Sequence, residues 1–95
     1  MTWNIKTEEL EELDVLVEID QGAAIILYND DLNTFDHVIY CLIKYCKHSA
    51  DQAEQCAMLV HYKGKCQVKN GSEIELLPIC QALTEKGLSA VIEEL

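Results

Sequence analysis

The sequence predicts an α+β fold, a small sandwich of a three-stranded antiparallel sheet and three helices in the order strand-helix-helix-strand-helix-strand. Three observations carry that prediction. Ala23–Tyr28 is an unbroken apolar run of strand length, stopped by Asn29-Asp30-Asp31. Behind it, two stretches repeat apolar residues at helical spacing, and a third helical pattern follows a capping box. Two short β-like segments separate and close these patterns, at 66–69 and 89–93.

The elements follow in order. Residues 1–22 read as an acidic extension, in which Glu8 to Leu13 suits a short helical turn and Val15–Ile19 a short strand. Gln21-Gly22 is a hinge into a domain at 23–95. After the first strand, Asn33 is a suitable N-cap with Asp36 at N3, where its charge favours the helix start. Phe35, Val38, Ile39, Leu42, Tyr45 and Cys46 then mark one helical face through residue 46. Ser49 to Gln52 is a capping-box pattern; Ala53, Cys56, Ala57 and Val60 form the inner face of the helix it opens, and Lys63-Gly64-Lys65 ends that helix. Cys66 to Lys69 alternates as a strand does, and Asn70-Gly71 signals a turn. Ser72 to Glu75 is a second capping box, opening a helix to Lys86 with Gly87 as its C-terminal cap. Pro78 inside that pattern predicts a kink or a late start. Ser89 to Glu93 is the last strand.

Ninety-five residues suit one domain with a single modest core. The formal charge is −10, of which −6 falls on residues 1–22, and there is no arginine. Nucleic acid and acidic membrane surfaces are normally bound by clustered Lys and Arg, so neither is an expected partner. No apolar run approaches the roughly 18 residues of a membrane span, and the acidic start lacks the pattern of a signal peptide; a cytoplasmic protein is expected. The five cysteines (Cys41, Cys46, Cys56, Cys66, Cys80) are odd in number and form no C-x-x-C pair. Three fall where a helix would bury them, so reduced packing residues are expected rather than metal or redox groups.

One polar constellation stands out. Asn29 and Asp31 end the first strand, and His61 lies thirty residues after Asp31, at the end of the second helix. An amide oxygen, a carboxylate and an unprotonated imidazole nitrogen are all acceptors, and with a negative charge among them they suit an ammonium group. Phe35, Val38, Ala57 and Val60 are placed to wall an apolar pocket beside that cation. Taken singly, the parts have plainer explanations: Asn-Asp-Asp after a strand is a turn, and a histidine at a helix C-terminus complements the dipole. No local pattern sets a cysteine beside an imidazole as a nucleophile would require, and no cofactor is expected.

At these residues the sequence resembles the ClpS adaptor family. The resemblance rests on Asn29-Asp30-Asp31, on Phe35-Asp36-His37-Val38 and on Val60-His61-Tyr62-Lys63-Gly64, with Ala53-Glu54-Gln55 and Gly87-Leu88 in the same order, and it covers roughly residues 24–95. It implies a non-enzymatic adaptor. Such an adaptor binds substrates with a free N-terminal bulky hydrophobic residue, the N-degron class, and hands them to a Clp AAA+ unfoldase joined to the ClpP protease. The partner it implies is the N-terminal domain of a ClpA- or ClpC-like unfoldase. By position, Asn29 and His61 would hydrogen-bond the α-amino group, Asp31 would hold it through water, and Asp30 would belong to the same set. Val38, Val60 and Leu88 match the hydrophobic pocket, and the acidic residues 1–22 match the extension used in delivery. The sequence departs from the family pattern at the pocket wall: Phe35 and Ala57 stand where methionines are common, and Asn33-Thr34 replaces a Thr-Pro pair. Two other functions fit the composition: a protein-interaction module of this architecture without preference for peptide N-termini, and a cysteine-based metal or redox protein.

Overall fold

The structure, a computed structural model, describes residues 22–95. The helical turn and strand expected at 8–13 and 15–19 lie outside the described residues. The elements are β1 (Ala23–Tyr28), α1 (Phe35–Cys46), α2 (Ala50–Lys63), β2 (Lys65–Gly71), α3 (Glu73–Glu85) and β3 (Ser89–Glu94). This is the predicted order. The sheet runs β2-β1-β3, antiparallel throughout, so the most apolar strand takes the centre.

Alternation along β1 sends Ala23, Ile25 and Leu27 to one face, where they join Leu42 and Cys41 of α1, Ala53, Cys56 and Val60 of α2, and Leu76 and Leu83 of α3 in one core cluster. Full burial of each of the larger aliphatic side chains contributes roughly 1.5–3 kcal/mol. Register shifts between Ile25 and Ile26, which pair with Lys69 and Gln67 and leave Val68 over. The carbonyl freed at this bulge accepts a 2.6 Å hydrogen bond from Nε2 of the buried His48.

The caps explain where the helices begin and end; the sequence reading is corrected at Asn33 and at Asn70-Gly71, and of the two outcomes expected from Pro78 the late start does not occur. Thr34, not Asn33, caps α1: its hydroxyl accepts from the His37 N–H at 3.1 Å, which puts Asp36 at N2. The Asn33 amide is engaged with Asp30 and Gly87 instead. Asn70 and Gly71 belong to β2 rather than to a turn, and the chain reverses at the next residue, Ser72. α3 starts without delay despite Pro78. Ser72 and Glu75 form the full reciprocal capping box, and buried Leu76, Cys80 and Leu83 hold the helix to the core. The N–H that proline lacks would have met the carbonyl of Ile74, which is exposed, so water can satisfy it.

The cysteines behave as packing residues. Cys41, Cys46, Cys56 and Cys80, all on helices, are buried, Cys66 is half-buried, and all five are free thiols. Burial pushes the Cys46 thiol up to about 11. Burial and then the neighbouring Cys56 push Cys66 up to about 12. Thiols held this far from ionisation are poor nucleophiles and poor metal ligands at neutral pH.

Candidate peptide-binding site

The end of β1 and the end of α2 are tied by one backbone hydrogen bond, Asn29 N–H to the Gly64 carbonyl at 2.9 Å. Gly64 makes this possible. It closes α2 at φ 94°, its own N–H bonds the Val60 carbonyl at 3.0 Å, and the chain turns there into β2. A side chain at that φ is strained even though the space around it is open. Gly64→Ala is therefore expected to cost about 1–2 kcal/mol, read as a lower urea midpoint.

The loop after β1 is organised by Asp30. Its Oδ1 accepts from the N–H groups of Leu32 at 2.9 Å and Asn33 at 3.0 Å. Its Oδ2 accepts from Asn33 Nδ2 at 2.9 Å and from the Ser89 hydroxyl at 3.1 Å. Asn33 Nδ2 also donates to the Gly87 carbonyl at 2.8 Å. Burial alone would raise the Asp30 pKa, but these donors outweigh it and hold the carboxyl below its ordinary value. The Asp30 carboxylate is thus occupied in closing the loop on itself and fastening it to Ser89 at the start of β3, and Asn33 carries the tie on to Gly87. This separates Asp30 from the other acceptors, which are exposed.

Between the loop and α2 lies a cleft of about 650 Å³. Asn29, Asp30, Asp31, Asn33, Phe35, Val38, Ala57, Val60 and His61 all line it, so every expected site residue except Leu88 borders this one space. Leu88 is buried and lines a recess of about 30 Å³ that shares Asn29, Asp30, Asn33, Val38 and Val60 with the cleft. The polar acceptors Asn29, Asp31 and His61 are exposed, Val38 is half-buried, and Val60 and Ala57 are buried. One wall of the cleft therefore accepts hydrogen bonds while the other offers apolar surface. No described helix is long and apolar enough to cross a membrane. Among the described residues no group of three or more His, Cys, Asp and Glu side chains is placed to hold a metal ion.

Three further residues line the cleft to which the sequence reading gives no role at the site: Met58, which no motif includes, and Glu54 and Tyr62, which fall within the motifs but are not assigned to the pocket. The signal for them is present. Counting along α2 from Glu54, residues 57, 58, 61 and 62 repeat at i+3, i+4, i+7 and i+8, one continuous face. Tyr62 stands at the edge, its ring meeting His61 edge-to-face with centroids 4.8 Å apart. Met58 supplies a flexible thioether on the wall where buried Ala57 offers only a methyl group.

The profile of the family described as "ATP-dependent Clp protease adaptor protein ClpS" matches residues 19–91. The chain belongs to the ClpS family. Relatives agree: it is 35% identical over 89 residues to the ATP-dependent Clp protease adapter protein ClpS of Streptomyces coelicolor, covering 94% of this chain and 93% of that protein. It is 36% identical over 66 residues to the ClpS of Thermosynechococcus vestitus, covering 68% and 70% of the two chains. The solved structure of Agrobacterium tumefaciens ClpS2 bound to L-phenylalaninamide superposes with a TM-score of 0.76 at 20% identity, over 80% of this chain and 99% of that one. As a ClpS-family member the chain is an adaptor of the Clp protease and not an enzyme.

Proposed function

We propose that the cleft binds the free α-amino group of substrates beginning with a bulky hydrophobic residue, and that the protein delivers them to a Clp AAA+ unfoldase in the cytoplasm. The observation that carries the reading is the pairing, in one cleft, of the exposed acceptors Asn29, Asp31 and His61 with the apolar residues Phe35, Val38, Ala57 and Val60. An α-ammonium group offers three donors and one positive charge, which matches this acceptor set; Asp31 supplies the opposing charge. Asp30 acts one step back, by holding the loop. The first side chain leaves the amine toward Val38 and Val60, with Leu88 in the recess beneath. Agrobacterium tumefaciens ClpS2 binds L-phenylalaninamide, which carries a free α-amino group and an aromatic side chain on one carbon, and this supports the same chemistry here. In this reading residues 23–95 form the recognition domain, the acidic residues 1–22 serve delivery, and the unfoldase partner is engaged through a ClpA- or ClpC-like N-terminal domain.

The test is fluorescence anisotropy with Leu- and Phe-initiated peptides against their N-acetylated twins. Acetylation removes the cation and two donors while keeping the side chain. Binding near the micromolar range, about −8 kcal/mol, is expected for the free peptides, and none measurable for the acetylated ones. Equal binding of both forms would refute the reading.

A further inference from the structure

Two of the five thiols face each other across the turn that joins α2 to β2. Cys66 pairs with Leu27 in the ladder between β2 and β1. Ladder partners send their side chains to the same side of a sheet. Leu27 is buried in the core, so Cys66 points toward the helices, where it packs against the core cluster. Cys56 comes from the opposite side: it lies on the inner face of α2 with Ala53 and Val60 and belongs to that cluster. α2 stops at Lys63, turns at Gly64 and enters β2 at Lys65, so the helix folds back over the strand that follows it. Burial, and after it a hydrogen bond with Cys56, raises the Cys66 thiol; the two sulfurs are hydrogen-bonding neighbours. Cys41, Cys46 and Cys80 have no hydrogen-bonded cysteine among the described residues. Of the pair, Cys66 is half-buried and open to small solutes, while Cys56 is buried behind it, and both are free thiols.

We propose that Cys56 and Cys66 are a redox modification site, forming a reversible disulfide under peroxide that staples the end of α2 to β2. The Cys66 sulfur, as its thiolate, attacks one oxygen of hydrogen peroxide. The O–O bond breaks, a sulfenic acid forms, and the departing hydroxide takes up the thiol's proton as water. The Cys56 sulfur then attacks the Cys66 sulfur and displaces its hydroxyl, which leaves as a second water with the Cys56 proton. Together the thiols lose two electrons and two hydrogens, and the peroxide is reduced to two waters. Burial holds back ionisation of Cys66, so the reaction is slow and the pair records sustained rather than brief oxidation. The thiol's long 3.5 Å bond to the Gln67 carbonyl is weak and is given up as the disulfide forms. The ring so closed spans residues 57–65. It includes Val60 and His61 of the cleft wall and the Gly64 cap, so the staple fixes the helix end on which that wall is built.

The experiment treats the full-length protein with hydrogen peroxide in the absence of denaturant. The peroxide is quenched, remaining thiols are alkylated, and tryptic fragments are read by mass spectrometry. Cleavage after Lys47, Lys63, Lys65 and Lys69 places Cys56 in fragment 48–63 and Cys66 in fragment 66–69. These two fragments are expected joined, at a combined mass lower by two hydrogens, and separate again after dithiothreitol. The oxidised protein is expected to unfold at a higher urea midpoint than the reduced protein, because the cross-link restricts the unfolded chain. Cys66→Ala, a change at a half-buried position, should abolish both the joined fragment and the difference in midpoint. Fragments that stay separate while Cys66 advances to a sulfinic acid overturn the proposal, as does a cross-link that joins other cysteines instead. An oxidised protein with a lower midpoint than the reduced one overturns it too, since the bond would then form only by distorting the fold.

Discussion

Replacing His61 or Asp31 with alanine is expected to weaken binding of a Leu-initiated peptide by about 10- to 100-fold while leaving the domain folded. The magnitude follows from the chemistry. A hydrogen bond to a charged group contributes about 1.5–3 kcal/mol, and each tenfold change in affinity is about 1.4 kcal/mol. Both side chains are exposed, so truncating them leaves no cavity and buries no orphaned polar group. His61 lies in the last turn of α2, where the Gly64 cap and buried Val60 hold the helix without it. Asp31 sits beside Asp30, and it is Asp30 that fastens the loop. The two should also differ in salt response. Asp31→Ala removes a charge facing a charge, so its loss should shrink as salt rises; His61→Ala should be less sensitive if the imidazole acts as a neutral acceptor. Isothermal titration with the folded variants at two salt concentrations gives both numbers. Wild-type affinity in either variant would contradict its role at the amine.

Leu83→Ala is expected to destabilise the domain by about 2–5 kcal/mol, more than any truncation at the exposed rim of the cleft. Leu83 is 0% exposed, packs in the core cluster with Leu76 and Cys80 of α3, and its backbone carbonyl accepts from the N–H groups of Lys86 and Leu88 as the chain turns toward β3. Removing its branched end leaves a void that neighbours from β1 and α1 cannot fill without moving. Small domains have total stabilities of about 5–15 kcal/mol, so the variant should approach the edge of folding. Leu32→Ala is the contrast: Leu32 is 89% exposed, and the same substitution there should change stability by less than about 0.5 kcal/mol. Urea denaturation followed by far-UV circular dichroism measures both.

The Leu88 and Glu54 positions show how a site can be partly legible in a sequence. Helical spacing and motif point to Val38, Val60 and His61, and all three border the cleft, because a helix repeats on a fixed period and a cap stops it at a readable place. Leu88 matches the pocket by motif, yet it belongs to a recess beneath the cleft, because the turn after α3 buries it. Glu54, Met58 and Tyr62 obey the same period as His61. Hydrophobic patterning does not mark them, because it marks the face turned to the core, and these residues belong to the neighbouring face, which meets the cleft. Asn33 shows the opposite error. It is the residue type that caps helices, but its amide is drawn into the Asp30–Gly87 tie, and the hydroxyl of Thr34 caps α1 instead.

By itself the sequence determined the order and type of the six elements, the burial of most cysteines and the family. Each of these follows from local rules, since period, capping and apolar content act over a few residues. Only the tertiary structure decided which acceptors remain available. Asp30 and Asp31 are adjacent carboxylates and identical in type, yet one is spent on Leu32, Asn33 and Ser89 while the other borders the cleft with no hydrogen bond to another of the described residues. The reason is the sheet: β3 pairs with β1 so that Ser89 stands opposite Tyr28, two residues before Asp30, and brings its hydroxyl to that carboxylate. A contact across 59 residues has no signature in local spacing.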